Sequence, residues 1–161
     1  METTSAEDLE HNIRATTREF LIAYFLASEK NDPRVFSATL TSDCRRYIGP
    51  PSFLAAMGLS EDFSFSNTEY EDLSRKDLEV WSITSYKFGN ITVDVPNRRS
   101  AATSEYGGSL SDGTSFSRNL AWFLDFDQDG SKITRIYQLN DTQEAKDFRL
   151  RVEALQAQDK A

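Results

Sequence analysis

The sequence predicts an α+β fold in which N-terminal helices cover a strongly curved antiparallel sheet and a further helix closes the C-terminal end. Three observations predict it. Ser115 to Asp141 reads as two long strands joined by Asp127-Gln128-Asp129-Gly130, a turn whose glycine tolerates the positive φ that tight hairpins need. Alternating apolar and polar residues on both sides suit strands with one face on a core or cavity. The half of the chain before residue 80 is rich in helix signals, and helices followed by strands is the order of a cone-shaped α+β domain. At 161 residues the chain suits one domain spanning 1–161, long enough for a sizeable core.

The elements follow in order. Ser5-Ala6-Glu7-Asp8 has the form of a capping box. Leu9, Ile13, Phe20, Leu21, Tyr24 and Phe25 then recur at helical spacing, so residues 6–29 read as one amphipathic helix. Asn31-Asp32-Pro33 stops it and starts a short helix carrying Val35, Phe36 and Leu40. A strand around Cys44–Ile48 ends at Gly49-Pro50-Pro51, and residues 54–65 read as a mixed loop, a lid or a contact between copies. Ser66-Asn67-Thr68-Glu69 repeats the capping-box pattern ahead of a helix with Tyr70, Leu73, Leu78 and Trp81 as apolar positions. From Ile83 the pattern is that of strands, with turns at Pro96-Asn97-Arg98 and Ser111-Asp112-Gly113 and a strand from Arg99 to Leu110. Together these form a four-stranded meander. Asp141-Thr142-Gln143-Glu144 caps a last helix with Ala145, Phe148, Val152 and Leu155 on its apolar stripe.

Composition excludes several classes of function. The formal net charge of −8 argues against a nucleic-acid or anionic-membrane partner, which would need a basic patch. No apolar run approaches the ~20 residues that cross a bilayer. The polar, acidic N-terminus does not resemble a secretory signal, so an intracellular, cytoplasmic protein is expected. A single cysteine, Cys44, and a single histidine, His11, leave no internal disulfide and no metal site of several His or Cys residues. His11 falls early in the first helix and is expected to face solvent. Asp125, Asp127 and Asp129 lack the spacing and distal Glu of a calcium loop and read as an exposed hairpin tip.

Four stretches carry a family resemblance. Cys44-Arg45-Arg46-Tyr47-Ile48-Gly49-Pro50-Pro51-Ser52-Phe53 is similar to a Cys-x-x-His-Ile-x-Pro-x-Ser segment. Ser66-Asn67-Thr68-Glu69-Tyr70 matches a Ser-Asn-x-Glu-Tyr helix start, and Trp122 to Ile133 an aromatic strand with its Asp-Gly turn. Gln138-Leu139-Asn140-Asp141-Thr142, followed by Asp147-Phe148, parallels a Glu-Phe-x-Asp-Ser end. The chain thereby resembles the NTF2-like, or SnoaL-like, fold. More narrowly it resembles small fungal isomerases of secondary metabolism, including the terretonin- and austinol-type meroterpenoid isomerases and the brevianamide semipinacolase. The resemblance implies a homodimeric cone, a small-molecule cavity without a cofactor, and Brønsted-type chemistry on a polycyclic natural product. Three parts of the sequence depart from it. The family's Tyr-x-Asn-Glu-Tyr becomes Phe116-Ser117-Arg118-Asn119-Leu120, its acid on the last strand becomes Gln138, and its His becomes Tyr47.

Alternation puts Phe116, Arg118, Leu120, Trp122 and Leu124 on one face of their strand, the face that aligns with the family cavity. An arginine there needs a carboxylate or an anionic ligand. Arg118 is therefore either an oxyanion clamp or the partner of an acid such as Glu105 on the adjacent strand. Arg46 and Tyr47 have opposite parity, with Arg45 sharing the face of Tyr47, so only one of Arg46 and Tyr47 points inward. Arg46 and Arg118 are expected to stabilise negative charge, Tyr47 to supply a proton or hydrogen bond, and Gln138 to orient a carbonyl. Phe116, Leu120, Trp122, Trp81, Tyr106 and Glu105 complete the candidate substrate wall; Trp81 and Tyr106 read equally as core, and Glu105, like Asp94, as a solvated strand acid or a base. The expected function is a cofactor-independent isomerase or cyclase of a polycyclic intermediate. The alternative is a non-catalytic dimeric binding or association module. A scytalone-type dehydratase is disfavoured by the lack of a central histidine.

Overall fold

The computed structural model describes residues 3–160. Helix α1 (Ala6–Lys30) begins where the Ser5 hydroxyl accepts from the Asp8 amide and ends at Asn31, whose φ of 51° closes it with a left-handed cap. A single 3₁₀ turn, Pro33–Ser37, follows, capped by Asp32. Then come β1 (Leu40–Gly49), the short α2 (Pro51–Ala56), β2 (Ser64–Phe65) and α3 (Asn67–Asp77). The capping box expected at Ser66 and Glu69 is present in both directions. Strands β3 (Trp81–Phe88), β4 (Thr92–Asp94), β5 (Arg99–Leu110), β6 (Ser115–Phe126) and β7 (Ile133–Asn140) lead to α4 (Thr142–Gln158).

Trp81 opens β3 instead of closing α3, because the helix ends at Asp77 and caps on Leu78. Within residues 54–65, the segment read as loop, lie part of α2 and the whole of β2. The sheet runs β2-β1-β7-β6-β5-β3, with β4 also on β5. The meander β3-β5-β6-β7 is antiparallel as expected, but β1 lies parallel to β7, so the sheet is mixed. Alternation reports which face a residue takes and is silent about strand direction.

Curvature gathers where β5 carries Gly107-Gly108 against a β3 whose register shifts between Ile83 and Ser85. A Cβ on Gly108 would overlap the Ser82 carbonyl oxygen, so glycine permits the close approach. The β6–β7 tip is not free. Asn12 Nδ2 donates to the Asp129 carbonyl (2.8 Å) and Thr16 Oγ1 to the Gly130 carbonyl (2.9 Å), pinning the hairpin on α1. The core fills the space between α1 and the concave face. Phe20 meets Trp122 edge-on at 5.0 Å, and Leu21, Leu124, Ile133 and Ile136 pack with them. Among the described residues no helix is long and apolar enough to cross a membrane.

Candidate active site

The inner face of the sheet stays open at one end. A cavity of about 360 Å³ lies there between β5–β7, α3, α4 and the α2–β2 segment. Phe53, Met57, Leu59, Phe63 and Phe65 from that segment form its apolar cover, with Phe116 and Phe148 on the opposite wall. The burial pattern of β6 puts Phe116, Arg118, Leu120, Trp122 and Leu124 inward, as alternation predicts.

The polar end is built from three strands and two helices. Arg118 Nη2 donates to Asn140 Oδ1 (2.9 Å), and Gln138 Nε2 donates to the same oxygen (3.2 Å). Asn140 Nδ2 in turn donates to the Gly49 carbonyl (3.0 Å). Arg46 Nη1 donates to Gln138 Oε1 (3.3 Å) and to Tyr24 Oη (2.6 Å), and Tyr24 and Tyr70 share a hydroxyl–hydroxyl bond of 3.0 Å. A guanidinium only donates, so the Gln138 carbonyl must face Arg46 and its amide must face Asn140. Gln138 is thus held at both ends, with one N–H left over.

Parity resolves the arginine pair. Arg46 is only 3% exposed, pairs with Ile136 of β7 and points into the cone. Arg45 points outward to Ser64 (2.8 Å). Tyr47 shares that outer side, where Arg135 lies 4.4 Å from its ring. Tyr47 therefore does not reach the cavity. Glu105 does not either: it is exposed opposite Asn119 on the convex face. The acid that faces Arg118 is Glu144 of α4, 3.4 Å from Nε. Glu144 caps nothing on its own helix. Its oxygens accept from the Asn119 amide (2.6 Å) and side chain (2.9 Å), tying α4 to β6. Trp122 is fully buried beneath the cavity and its Nε1 donates to Ser104 (2.9 Å). Tyr106 lines the cavity, yet its hydroxyl donates to the Leu21 carbonyl (2.6 Å). Trp81 and Leu120 also line it. His11 is exposed on α1.

Two groups of wall residues escaped the sequence reading. Tyr24 and Tyr70 read as apolar stripe positions, although a buried phenol needs a partner for its hydroxyl. Asp77 and Arg149 form a bidentate ion pair on the cavity wall, both bonds 2.7 Å, with Gln156 donating to Asp77 at 3.0 Å. Its signal was faint: Arg149 follows Ala145 by four residues and precedes Val152 by three, placing a charge on the apolar stripe.

Electrostatics divide these groups. Burial pushes the Tyr24 pKa well above that of a free phenol, against the opposing pull of Arg46, so Tyr24 is a neutral hydroxyl. Burial works against charge on Arg46, but the surrounding tyrosine oxygens more than offset it and its pKa is raised. Burial lowers the pKa of Arg118, and Glu144 resists that shift. Among the described residues, Arg46 Nη2 and Trp81 Nε1 are buried without a hydrogen-bond partner, while Arg118 Nε and Arg149 Nε meet only the longer contacts to Glu144 (3.4 Å) and Glu153 (3.6 Å). All four are N–H donors on side chains in or directly behind the cavity wall. Such a wall suits a ligand carbonyl oxygen, which only accepts.

No protein-family model matches the chain, and no curated protein matches it. Solved structures do. The BvnE pinacolase of Penicillium brevicompactum superposes with a TM-score of 0.74 at 13% identity, over 94% of this chain and 98% of that one. PrhC of Penicillium brasilianum gives 0.67 at 19% identity, over 92% and 93%. An NTF2-like protein of unknown function from an Exiguobacterium gives 0.57 at 11% identity, over 78% and 98%. The chain has the NTF2-like fold, and the likeness read from its sequence holds at that level.

Proposed function

We propose that this protein is an isomerase or cyclase that works without a cofactor on a polycyclic natural-product intermediate of fungal secondary metabolism. The observation that carries the reading is the cluster of N–H and O–H donors, Arg118, Gln138, Tyr70 and Trp81, that lines one part of an otherwise largely apolar cavity. A rigid apolar skeleton fills the aromatic part. Its carbonyl oxygen meets Arg118, with Arg46 behind Tyr24 and Gln138. As a rearrangement or ring closure moves electrons onto that oxygen, donors already in place stabilise the charge without reorganising. Confinement against the aromatic cover holds the skeleton near its reactive shape. The pinacolase among the structural neighbours supports chemistry of this type.

The carboxylates near the polar end are engaged: Asp77 by Arg149 and Gln156, Glu144 by Asn119 and Arg118. Proton abstraction by a free carboxylate is therefore not part of the proposal; positioning and charge stabilisation are. The same engagement favours a second reading, a non-catalytic carrier of such compounds. In either case two copies would associate through the convex sheet face, where Phe123 is 49% exposed and lies 6.1 Å from the ring of Tyr137.

The test is to incubate the purified protein with polycyclic ketones of terpenoid and indole-alkaloid type and to follow products of unchanged mass by chromatography. Conversion that falls at least about tenfold in Arg118→Leu supports the enzyme, since removal of one such donor typically has that effect or more. Saturable binding with every compound recovered intact supports the carrier.

A further inference from the structure

Arg46 poses a problem that the reading above leaves open. It is buried and makes no ion pair among the described residues. Aromatic rings surround it: Tyr70 lies 3.8 Å from the guanidinium carbon, with Phe20, Tyr24 and Trp122 within 5.9 Å. It does not itself line the cavity, whereas Tyr24 and Tyr70 do. A buried charge in such a place acts on a ligand through its neighbours or not at all.

The hydrogen bonds give that action a direction. Arg46 Nη1 can only donate, so Tyr24 Oη accepts from it at 2.6 Å. An oxygen polarised by a guanidinium is a weaker acceptor and a stronger donor. Tyr24 therefore gives its own proton to Tyr70 across the 3.0 Å contact. Tyr70 Oη makes no other hydrogen bond among the described residues, and its O–H is left for the cavity. Each link polarises the next. The guanidinium also faces the Tyr70 ring directly and draws electron density from it, which strengthens the same O–H as a donor.

We propose that Arg46, Tyr24 and Tyr70 form a directed chain whose last hydroxyl, that of Tyr70, binds an enolic or phenolic ligand oxygen and prefers its anionic form. Tyr70 is the contacting residue; Arg46 and Tyr24 act through it as positioning residues. The ligand then carries an acidic enol or phenol in addition to its apolar skeleton. This rests on the proposed function only for the place of the ligand.

The probe is 7-hydroxycoumarin, a flat phenol small enough for the cavity whose phenolate absorbs at longer wavelength than the phenol. Titrating it with pH in the presence of excess intact protein reads the preference without any turnover. Wild type is expected to lower the apparent pKa of the bound probe by about one unit, a tenfold preference for phenolate. Tyr70→Phe keeps the ring over Arg46 and is expected to abolish the shift. Tyr24→Phe keeps the Tyr70 hydroxyl but cuts the link to Arg46, leaving a smaller shift. Absence of binding or of a shift in wild type overturns the proposal, as does a full shift surviving in Tyr70→Phe. Should Tyr70→Phe fail to fold, an undiminished shift in Tyr24→Phe overturns it alone. Loss of the shift in Arg118→Leu but not in Tyr70→Phe removes the chain and spares the isomerase reading. Loss in Tyr70→Phe, with no compound isomerised, does the reverse.

Discussion

Two arginines, Arg46 buried and Arg149 partly buried, stand on opposite sides of the cavity's purpose. Arg149 on α4 meets Asp77 at the end of α3 in a fork of two 2.7 Å bonds, and Gln156 adds a third contact to the same carboxylate. Arg46 on β1 meets a phenol, an amide and aromatic faces, and no acid. The first is satisfied within the protein and joins two helices. The second is a charge held by neutral groups, with no counter-ion from the chain. Burying a charge without a counter-ion is unfavourable unless hydrogen bonds and a ligand offset it. A residue placed so is better explained by what it does than by what it stabilises.

That contrast can be broken by experiment. The largest effect is expected at the satisfied pair. Asp77→Ala leaves the partly buried Arg149 with only the more exposed Glu153 as a counter-ion and should destabilise the fold by about 3 kcal/mol, read as a shift in the urea unfolding midpoint. A loss below about 1 kcal/mol would show that the pair is solvated and structurally idle. Arg46→Met should behave in the opposite way. Removing a buried charge that has no counter-ion in favour of an apolar side chain of similar length should leave stability within about 1 kcal/mol of wild type, or raise it. Strong destabilisation there would make Arg46 a second structural residue and erase the distinction. Truncating the cover sharpens it further: Phe63→Ala should change stability by less than about 1 kcal/mol, since the side chain is only partly buried, while weakening binding of any apolar ligand.

The smallest effect is alkaline. Burial raises the Cys44 thiol to about 11 and the Tyr24 hydroxyl well above its ordinary value. Both are raised in the folded state, so the folded protein holds protons that the unfolded chain releases. The contribution of the thiol is fully present below about pH 8.5, its ordinary value, and is lost as pH rises toward 11, whereas that of Tyr24 begins to fall only above about pH 10. Stability of the wild type should therefore fall over that window, and Cys44→Ala should flatten the part due to the thiol. A stability curve rising above pH 9 would contradict the buried thiol.

How much of this was legible beforehand can be seen residue by residue. The inward row on β6, from Phe116 through Leu124, follows from the two-residue period of a strand. The caps at Ser5, Ser66 and Asp141 follow from local hydrogen bonding within four residues. Alternation put Arg118 in that row, and the family resemblance, not a local rule, put Gln138 in the same cavity. Parity also stated that Arg46 and Tyr47 face opposite ways, but a period of two cannot say which of them faces in; the packing of β1 against β7 does.

The determination by sequence alone thus ends where a contact depends on elements far apart in the chain. Period and capping are short-range and state a face or an end, so fold class, element order and the cavity face of the meander were within reach. Partners are chosen by how helices dock on the sheet. The docking of α4 gave Arg118 a Glu144 partner in place of Glu105, since Glu105 lies on the convex side of the same sheet. The docking of α1 and α3 brought the hydroxyls of Tyr24 and Tyr70 within 3.0 Å across 46 residues of sequence. An apolar stripe shows that a tyrosine is buried, and only the packed structure shows what its oxygen meets.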